Sequence, residues 1–258
     1  MDEHAEWDER YAESDRVWSG QPNGALIAEV AGMPPGRVLD VGCGEGADVI
    51  WLAQQGWTVT ALDVSTVALA RARDHASEAG VKVNFVLSGL LDAGLERGTF
   101  DLVAALYPAL RHTDEHDTEG LLLDLVAPGG TLLFVHHALD HEHDHSGHGH
   151  GQGQNEHGDH HGGHTEADGT RFDPADYVSV ADVSARLDAA WTVDVNEERD
   201  RTISGGGGAR HVRDLIVRAH RVTTSRGSNA QPDHELDILE DDQNVPPRPE
   251  EEVADAAR

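Results

Sequence analysis

The sequence is poor in cysteine, lysine and aromatic residues, and it has no long apolar run. Cys43 is the only cysteine, which excludes an intramolecular disulfide and any metal site built from several thiolates. No apolar stretch approaches the ~20 residues of a membrane-spanning helix. The first ten residues, MDEHAEWDER, show neither the basic start nor the apolar core of a secretion signal, so a cytoplasmic location is expected. Positive charge is scarce: 19 basic residues face 48 acidic ones, a formal charge of −29, and Lys82 is the single lysine. Such a chain repels phosphate backbones and anionic bilayers, so neither nucleic acid nor membrane is expected as a partner.

Apolar residues make up 38% of the 258, below the usual figure of about 45–50%. The deficit is local. A His/Gly/Asp tract over about 138–172 and an acidic, proline-containing tail at 229–258 hold few apolar side chains. About half the net charge lies in these two segments, because the tail has ten acids against two arginines and the tract seven acids against one. One domain is therefore expected over 1–228, interrupted by a disordered insertion at about 138–172 and followed by a disordered tail.

Short Val- and Leu-rich runs at Arg37–Val41, Thr58–Leu62, Val81–Leu87, Phe100–Leu106 and Thr131–His136 read as strands. Helical spacing fills Ala47–Gln55, Thr66–Ala79 and Thr118–Val126, with Ser65 as an N-cap and Gly80 as a stop. Strands alternating with such helices argue for βαβ units and a parallel sheet. Later, Val178–Ala190 reads as a helix, while Trp191–Val195 and Asp214–Ala219 read as an antiparallel hairpin around the glycine run Ser204–Ala209. Glu6–Trp18 reads as a short helix before the sheet.

The informative segment is VLDVGCGEG, Val38 to Gly46, where a buried strand meets a glycine turn and then a helix. Glycines there allow positive φ and close backbone approach, and the following helix presents free N–H groups. The spacing is G-x-G-x-G, not the G-x-G-x-x-G of dinucleotide sites. Asp40 precedes it, and a carboxylate beside a glycine turn suits a cationic amino group better than a pyrophosphate. Asp63 ends the second strand, near the ~20-residue interval at which an acid binds ribose hydroxyls. Adenosine carrying a cationic tail fits this pattern, and S-adenosylmethionine is such a molecule.

In order along the chain, VLDVGCGEG, ALDVS (Ala61–Ser65), FDLV (Phe100–Val103) and APGGTLLF (Ala127–Phe134) resemble the motifs of class I S-adenosylmethionine-dependent methyltransferases. The opening WDERY, Trp18 and Pro22-Asn23 resemble the small-molecule branch that includes tellurite-resistance and thiopurine types. The resemblance implies a Rossmann-like α/β fold: a seven-stranded, mostly parallel sheet with a C-terminal antiparallel hairpin and helices on both faces. It implies that Asp40, Gly42, Gly44 and Gly46 surround the methionine part of the cofactor, that Asp63 binds the ribose and that Val64 packs on adenine. Tyr11 and Trp18 would close the site from the N-terminal side. Members of the family usually carry Asp where this chain has Gly89, so Ser88 and the backbone of Leu90 are expected to contact adenine instead.

Methyl transfer needs alignment and exclusion of water, and a base only where the acceptor holds its proton. A base would lie at the carboxyl ends of the fourth and fifth strands, where Tyr107, His112 and His137 are the candidates, with Asp114 and His136 nearby. The expected acceptor is a small molecule; monomer and homodimer are both open. Eleven of the 18 histidines fall in His136–His164. Close spacing makes His141, His143, His145, His148, His150, His160 and His161 candidate ligands for a divalent transition metal. The alternative function is accordingly metal binding through this tract, on a methyltransferase fold with little turnover.

Overall fold

In a computed structural model, residues 3–138, 174–201 and 212–223 are described. The strands are β1 (Arg37–Val41), β2 (Thr58–Asp63), β3 (Val83–Leu87), β4 (Phe100–Leu106), β5 (Val126–His137), β6 (Trp191–Asp200) and β7 (Arg213–Arg221). They form one sheet in the order β3-β2-β1-β4-β5-β7-β6. Pairing from β3 through β5 is parallel, and β7 runs antiparallel to both β5 and β6. The seven-stranded α/β architecture with its C-terminal antiparallel pair is thus the fold.

Alternate residues of the central strands feed two separate cores, which is why their sequences lack polar alternation. On one face Val38, Leu102, Ala104 and Leu133 pack with Leu26 of α2 (Gly24–Val30), Leu52 of α3 (Ala47–Gln54) and Leu69 of α4 (Thr66–Glu78). On the other Leu39, Val103, Ala105 and Phe134 pack with Leu122 of α5 (Asp117–Leu125) and Val183 of α6 (Val180–Ala185). Burial of a Leu or Phe side chain contributes roughly 1.5–3 kcal/mol, so these two layers carry most of the folding free energy. Ser65 caps α4, its Oγ accepting the Ala68 N–H at 3.1 Å.

Several expectations need correction. Helix α2 went unanticipated, because GALIAEV is only seven residues and begins with glycine. The N-terminal helix α1 is Glu3–Ala12, not Glu6–Trp18, since Glu45 takes the N–H groups of Val17 and Trp18 out of helical pairing. The long helix expected at Val178–Ala190 shortens to α6, which Ser179 and Asp182 start with a capping box. β5 begins five residues earlier than expected, with a register shift between Phe100 and Leu102 that absorbs Pro128–Gly130. The glycine run 204–209, the histidines at 141–161 and the tail 229–258 lie outside the described residues.

Candidate active site

The parallel order places the turn after β1 beside the end of β2 at the carboxyl edge of the sheet, where open α/β sheets bind ligands. Gly42 and Cys43 donate their N–H groups to Leu62 O at 2.8 and 3.0 Å. Gly44 has φ +51°, and a Cβ there would stand 2.9 Å from Tyr11 Oη and 3.3 Å from Trp18 Nε1. Both backbone conformation and space therefore demand glycine at this position. Gly46, with φ +89°, precedes α3 in the left-handed conformation.

Gly44 N–H donates to one carboxylate oxygen of Asp63 and Ser65 N–H to the other, each at 2.8 Å. Every carboxylate oxygen has a second acceptor position, so Asp63 can still receive two hydroxyls. Asp40 is 3% exposed, and its side chain has no hydrogen bond or ion pair among the described residues. Burial, then the charges of Asp48 and Asp63, pushes its carboxyl well above the usual range. Burial also raises Asp48, against the opposing pull of Asn23, whose backbone N–H and Nδ2 donate to the two Asp48 oxygens at 2.7 Å. Asp63 is raised by burial too, in spite of its N–H donors. Among the described residues no basic side chain pairs with any of the three, and Arg71, the guanidinium at this turn, is taken by Glu45. A sulfonium or ammonium group supplies the missing positive partner, and S-adenosylmethionine fits these residues.

The segment from α1 to Asn23 is fastened across this turn. Trp18 Nε1 donates to Tyr11 Oη at 2.9 Å above Gly44. Glu45, inside the glycine motif, accepts Val17 and Trp18 N–H and an Arg71 guanidinium N–H at 2.8 Å. The other arm of Arg71 donates to Tyr11 O and Ser14 O. Asp8 accepts the Ser65 hydroxyl at 2.6 Å and Val67 N–H, and His4 Nδ1 lies 2.8 Å from Val64 O. The sequence pointed to Tyr11 and Trp18, and to WDERY and Pro22-Asn23 as segments, but not to the roles of Asp8, Asn23, Glu45 and Arg71. Glu45 was the findable one, since it sits within GCGEG. Arg71 has no local signal.

Ser88 N–H donates to Asp63 O at 3.1 Å, which sets Ser88–Leu90 alongside Asp63. Leu90 is buried in the α5–α6 core, leaving its backbone as the part that can face a ligand. A Cβ on Gly89 would meet nothing closer than Asp92 Oδ2 at 3.9 Å. Cys43 is buried, with its thiol pushed up by burial and then by the charges of Asp63 and Asp40, as fits a small packing residue.

The three candidate bases separate into two groups. Tyr107 ends β4 with φ +53°, and its ring stacks on His137 with centroids 4.2 Å apart. The Arg201 guanidinium lies 4.5 Å from the Tyr107 ring centroid, and its Nη1 is 3.4 Å from His137 Nδ1. Asp214 Oδ1 stands 3.7 Å from Arg201 Nε and 3.8 Å from His137 Nδ1. Tyr107 Oη is buried without a hydrogen-bond partner. Burial, then the Asp214 charge, raises Tyr107 above the usual phenol range, so it keeps its proton. A Cβ on Gly42 would stand 3.8 Å from Pro108, so this cluster neighbours the glycine turn. His112 is not in the cluster. Its Nδ1 faces Glu119 Oε1 at 3.0 Å and its Nε2 faces Asp182 Oδ2 at 3.4 Å, so both ring nitrogens already face carboxylates. Asp114 is exposed, and His136 Nδ1 accepts the His137 N–H.

Comparison with known proteins finds likenesses over the sheet and the turn. A methyltransferase-domain family model matches residues 38–130. Over that stretch the chain is similar to a methyltransferase domain. More particularly, the ubiquinone biosynthesis O-methyltransferase of Cronobacter sakazakii is 38% identical over 110 residues, 42% of this chain and 45% of that protein. Its Vibrio parahaemolyticus counterpart is 34% identical over 110 residues, 42% and 47% of the two chains. The chain spans about half the length of these curated relatives. Among solved structures, one concerned with conversion of a disulfide into a thioacetal during echinomycin biosynthesis superposes with a TM-score of 0.60. It is 23% identical and the match covers 86% of this chain and 93% of that one. The [4+2]-cyclase SpnF matches at 0.55 with 19% identity, over 77% and 79% of the two chains. These likenesses show the fold.

Proposed function

We propose that the protein transfers a methyl group from S-adenosylmethionine to a small-molecule acceptor by in-line displacement. The observation that carries this is the trio Asp40, Asp48 and Asp63, buried around a glycine turn with no basic side chain paired to them among the described residues. When bound, the cofactor supplies an electrophilic methyl group on a sulfonium. Asp40 and the turn backbone would hold the methionine part, Asp63 the ribose hydroxyls, and Val64 with the Leu90 backbone the adenine. Tyr11, Trp18 and the Arg71–Glu45 pair hold the N-terminal segment over the turn and exclude water.

On the acceptor side, Tyr107 retains its proton and is suited to donate a hydrogen bond that orients the acceptor. His137, beside Asp214 and Arg201, is the better candidate to take a proton from the acceptor. His112 is withdrawn from that role by its two carboxylate neighbours. The methyltransferase-domain match ends at residue 130, before His137, Arg201 and Asp214, so the relatives' acceptors do not transfer with it. The acidic charge supports a small acceptor over nucleic acid. No helix among the described residues is long and apolar enough to cross a membrane, and a cytoplasmic location belongs to this proposal.

Calorimetric titration with S-adenosylmethionine, followed by transfer of labelled methyl groups to a panel of small hydroxylated, thiol and amine acceptors, tests the reading. Micromolar binding with turnover on at least one acceptor is expected. Failure to bind the cofactor would overturn it. Metal binding by His141, His143, His145, His148, His150, His160 and His161 is a separate proposal resting on their spacing, tested by whether their replacement abolishes metal uptake.

A further inference from the structure

His112, His116 and Glu119 come together after β4, away from the Tyr107 cluster. Each offers a ligand atom, and these atoms lie within 4.8 Å of one another. Glu119 is wholly buried in the first turn of α5. Both His112 Nδ1 and His116 Nδ1 approach the same oxygen, Oε1, at 3.0 and 3.2 Å. Its other oxygen, Oε2, is buried with no partner. A buried carboxylate oxygen without a donor is unfavourable, and crowding both imidazoles on its neighbour does nothing to relieve it. His116 is itself held at φ +58°, ψ +35°, a conformation that a residue with a side chain adopts only at a cost.

A cation resolves this arrangement. The separations of 3.0 and 3.2 Å are close to the ~3.3 Å edge of a tetrahedron whose ligands lie at ~2.0 Å from a metal. Asp182 adds an independent observation. Its Oδ2 stands 3.4 Å from His112 Nε2 and accepts the Ser179 N–H at 2.8 Å within the α6 capping box. A carboxylate behind a ligating imidazole fixes the tautomer that turns the opposite nitrogen's lone pair to a metal.

We propose that His112, His116 and Glu119 bind a divalent transition-metal ion, with Asp182 orienting His112. Two nitrogens and a carboxylate suit zinc, cobalt or nickel. His116 is 53% exposed, which leaves a fourth position open to water. The ion would staple the β4–α5 loop beside α6, where His112 N–H already donates to Asp176 O and Val178 N–H to Leu110 O. The site is separate from the histidines at 141–161 and does not depend on the methyl-transfer reading.

Crystals of the full chain soaked in zinc chloride, with anomalous diffraction at the zinc edge, locate the ion directly. A peak about 2.1 Å from both imidazoles and Glu119 is expected. Zinc on other residues with none here would overturn the proposal. In solution, thermal melting with zinc and with chelator is compared for the wild type and His116→Asn, since asparagine tolerates the left-handed backbone. Both chains keep the histidines at 141–161, so their contribution cancels. Zinc should raise the wild-type Tm by several degrees and the variant's by less than half as much. Equal shifts in the two chains would overturn the proposal.

Discussion

The two ends of the proposed active site are built differently. On the cofactor side the central residues, Asp40 to Gly46 and Asp63, come from one strand, one turn and the next strand. On the acceptor side Tyr107, His137, Arg201 and Asp214 come from four places more than 100 residues apart at the extremes. The first side is a local device that the βαβ unit assembles by itself. The second exists only after β7 has inserted antiparallel between β5 and β6. The methyltransferase-domain match follows the same division: it spans the local device and ends before His137, Arg201 and Asp214.

The sharpest way to break this comparison is Asp63→Ala. It removes both hydroxyl acceptors and strands the N–H groups of Gly44 and Ser65. With charge-assisted hydrogen bonds worth roughly 1.5–3 kcal/mol each, affinity for S-adenosylmethionine should fall about a hundredfold or more. Tyr107→Phe, on the acceptor side, should leave that affinity within about twofold. Calorimetry on the two variants decides whether the sides are separable; comparable losses would show that they are not.

Next in size is Arg71→Ala, which frees the Glu45 carboxylate and the carbonyls of Tyr11 and Ser14. Cofactor affinity should fall about tenfold, and limited proteolysis should cut the first twenty or so residues faster while the sheet survives. A variant with unchanged affinity would mean that the N-terminal segment covers the site without contributing to it.

Stability against pH separates the sides in another way. Asp40, Asp48 and Asp63 have carboxyls raised by burial, so their contribution to stability is present at low pH and lost as pH rises through their folded values. The ligand-free protein should therefore gain a few degrees of Tm between about pH 8 and about pH 5.5. Asp40→Asn should flatten that rise and raise the Tm at pH 8 while weakening cofactor binding. Glu119 and Asp182 work in the opposite sense, since their lowered carboxyls lose their contribution only as pH falls below the ordinary carboxylate range. A melting curve that is flat or falls on mild acidification would break the account of a charge-deficient turn.

Gly89→Asp should have the smallest effect. The position has room, with Asp92 Oδ2 as the nearest atom at 3.9 Å. A new carboxylate there should tighten cofactor binding about threefold, and an unchanged or weaker dissociation constant would remove the adenine contact from the model of the site.

The strands and the cofactor turn were legible because they are encoded locally. VLDVGCGEG carries its own apolar run, glycines and acid, and Asp63 follows at a readable interval. The missed elements share one cause. Arg71 lies on an ordinary helix face, Asp8 within WDERY and Asn23 within the Pro22-Asn23 pair, and no local pattern says what any of them binds. They acquire meaning only from partners between 25 and 60 residues away. His112 erred the other way: its place after β4 was read correctly, but its partners Glu119 and Asp182 were invisible from spacing.

By itself, then, the sequence determined the sheet's central strands, the glycine turn and the acids that make it a candidate cofactor site, because hydrophobic runs and backbone φ requirements act over a few residues. Tertiary structure alone decided which side chains share a pocket. It stacked Tyr107 on His137 beneath Arg201, turned His112 away to Glu119, and left three carboxylates buried without a basic partner among the described residues, since burial and pairing depend on what the folded chain brings alongside.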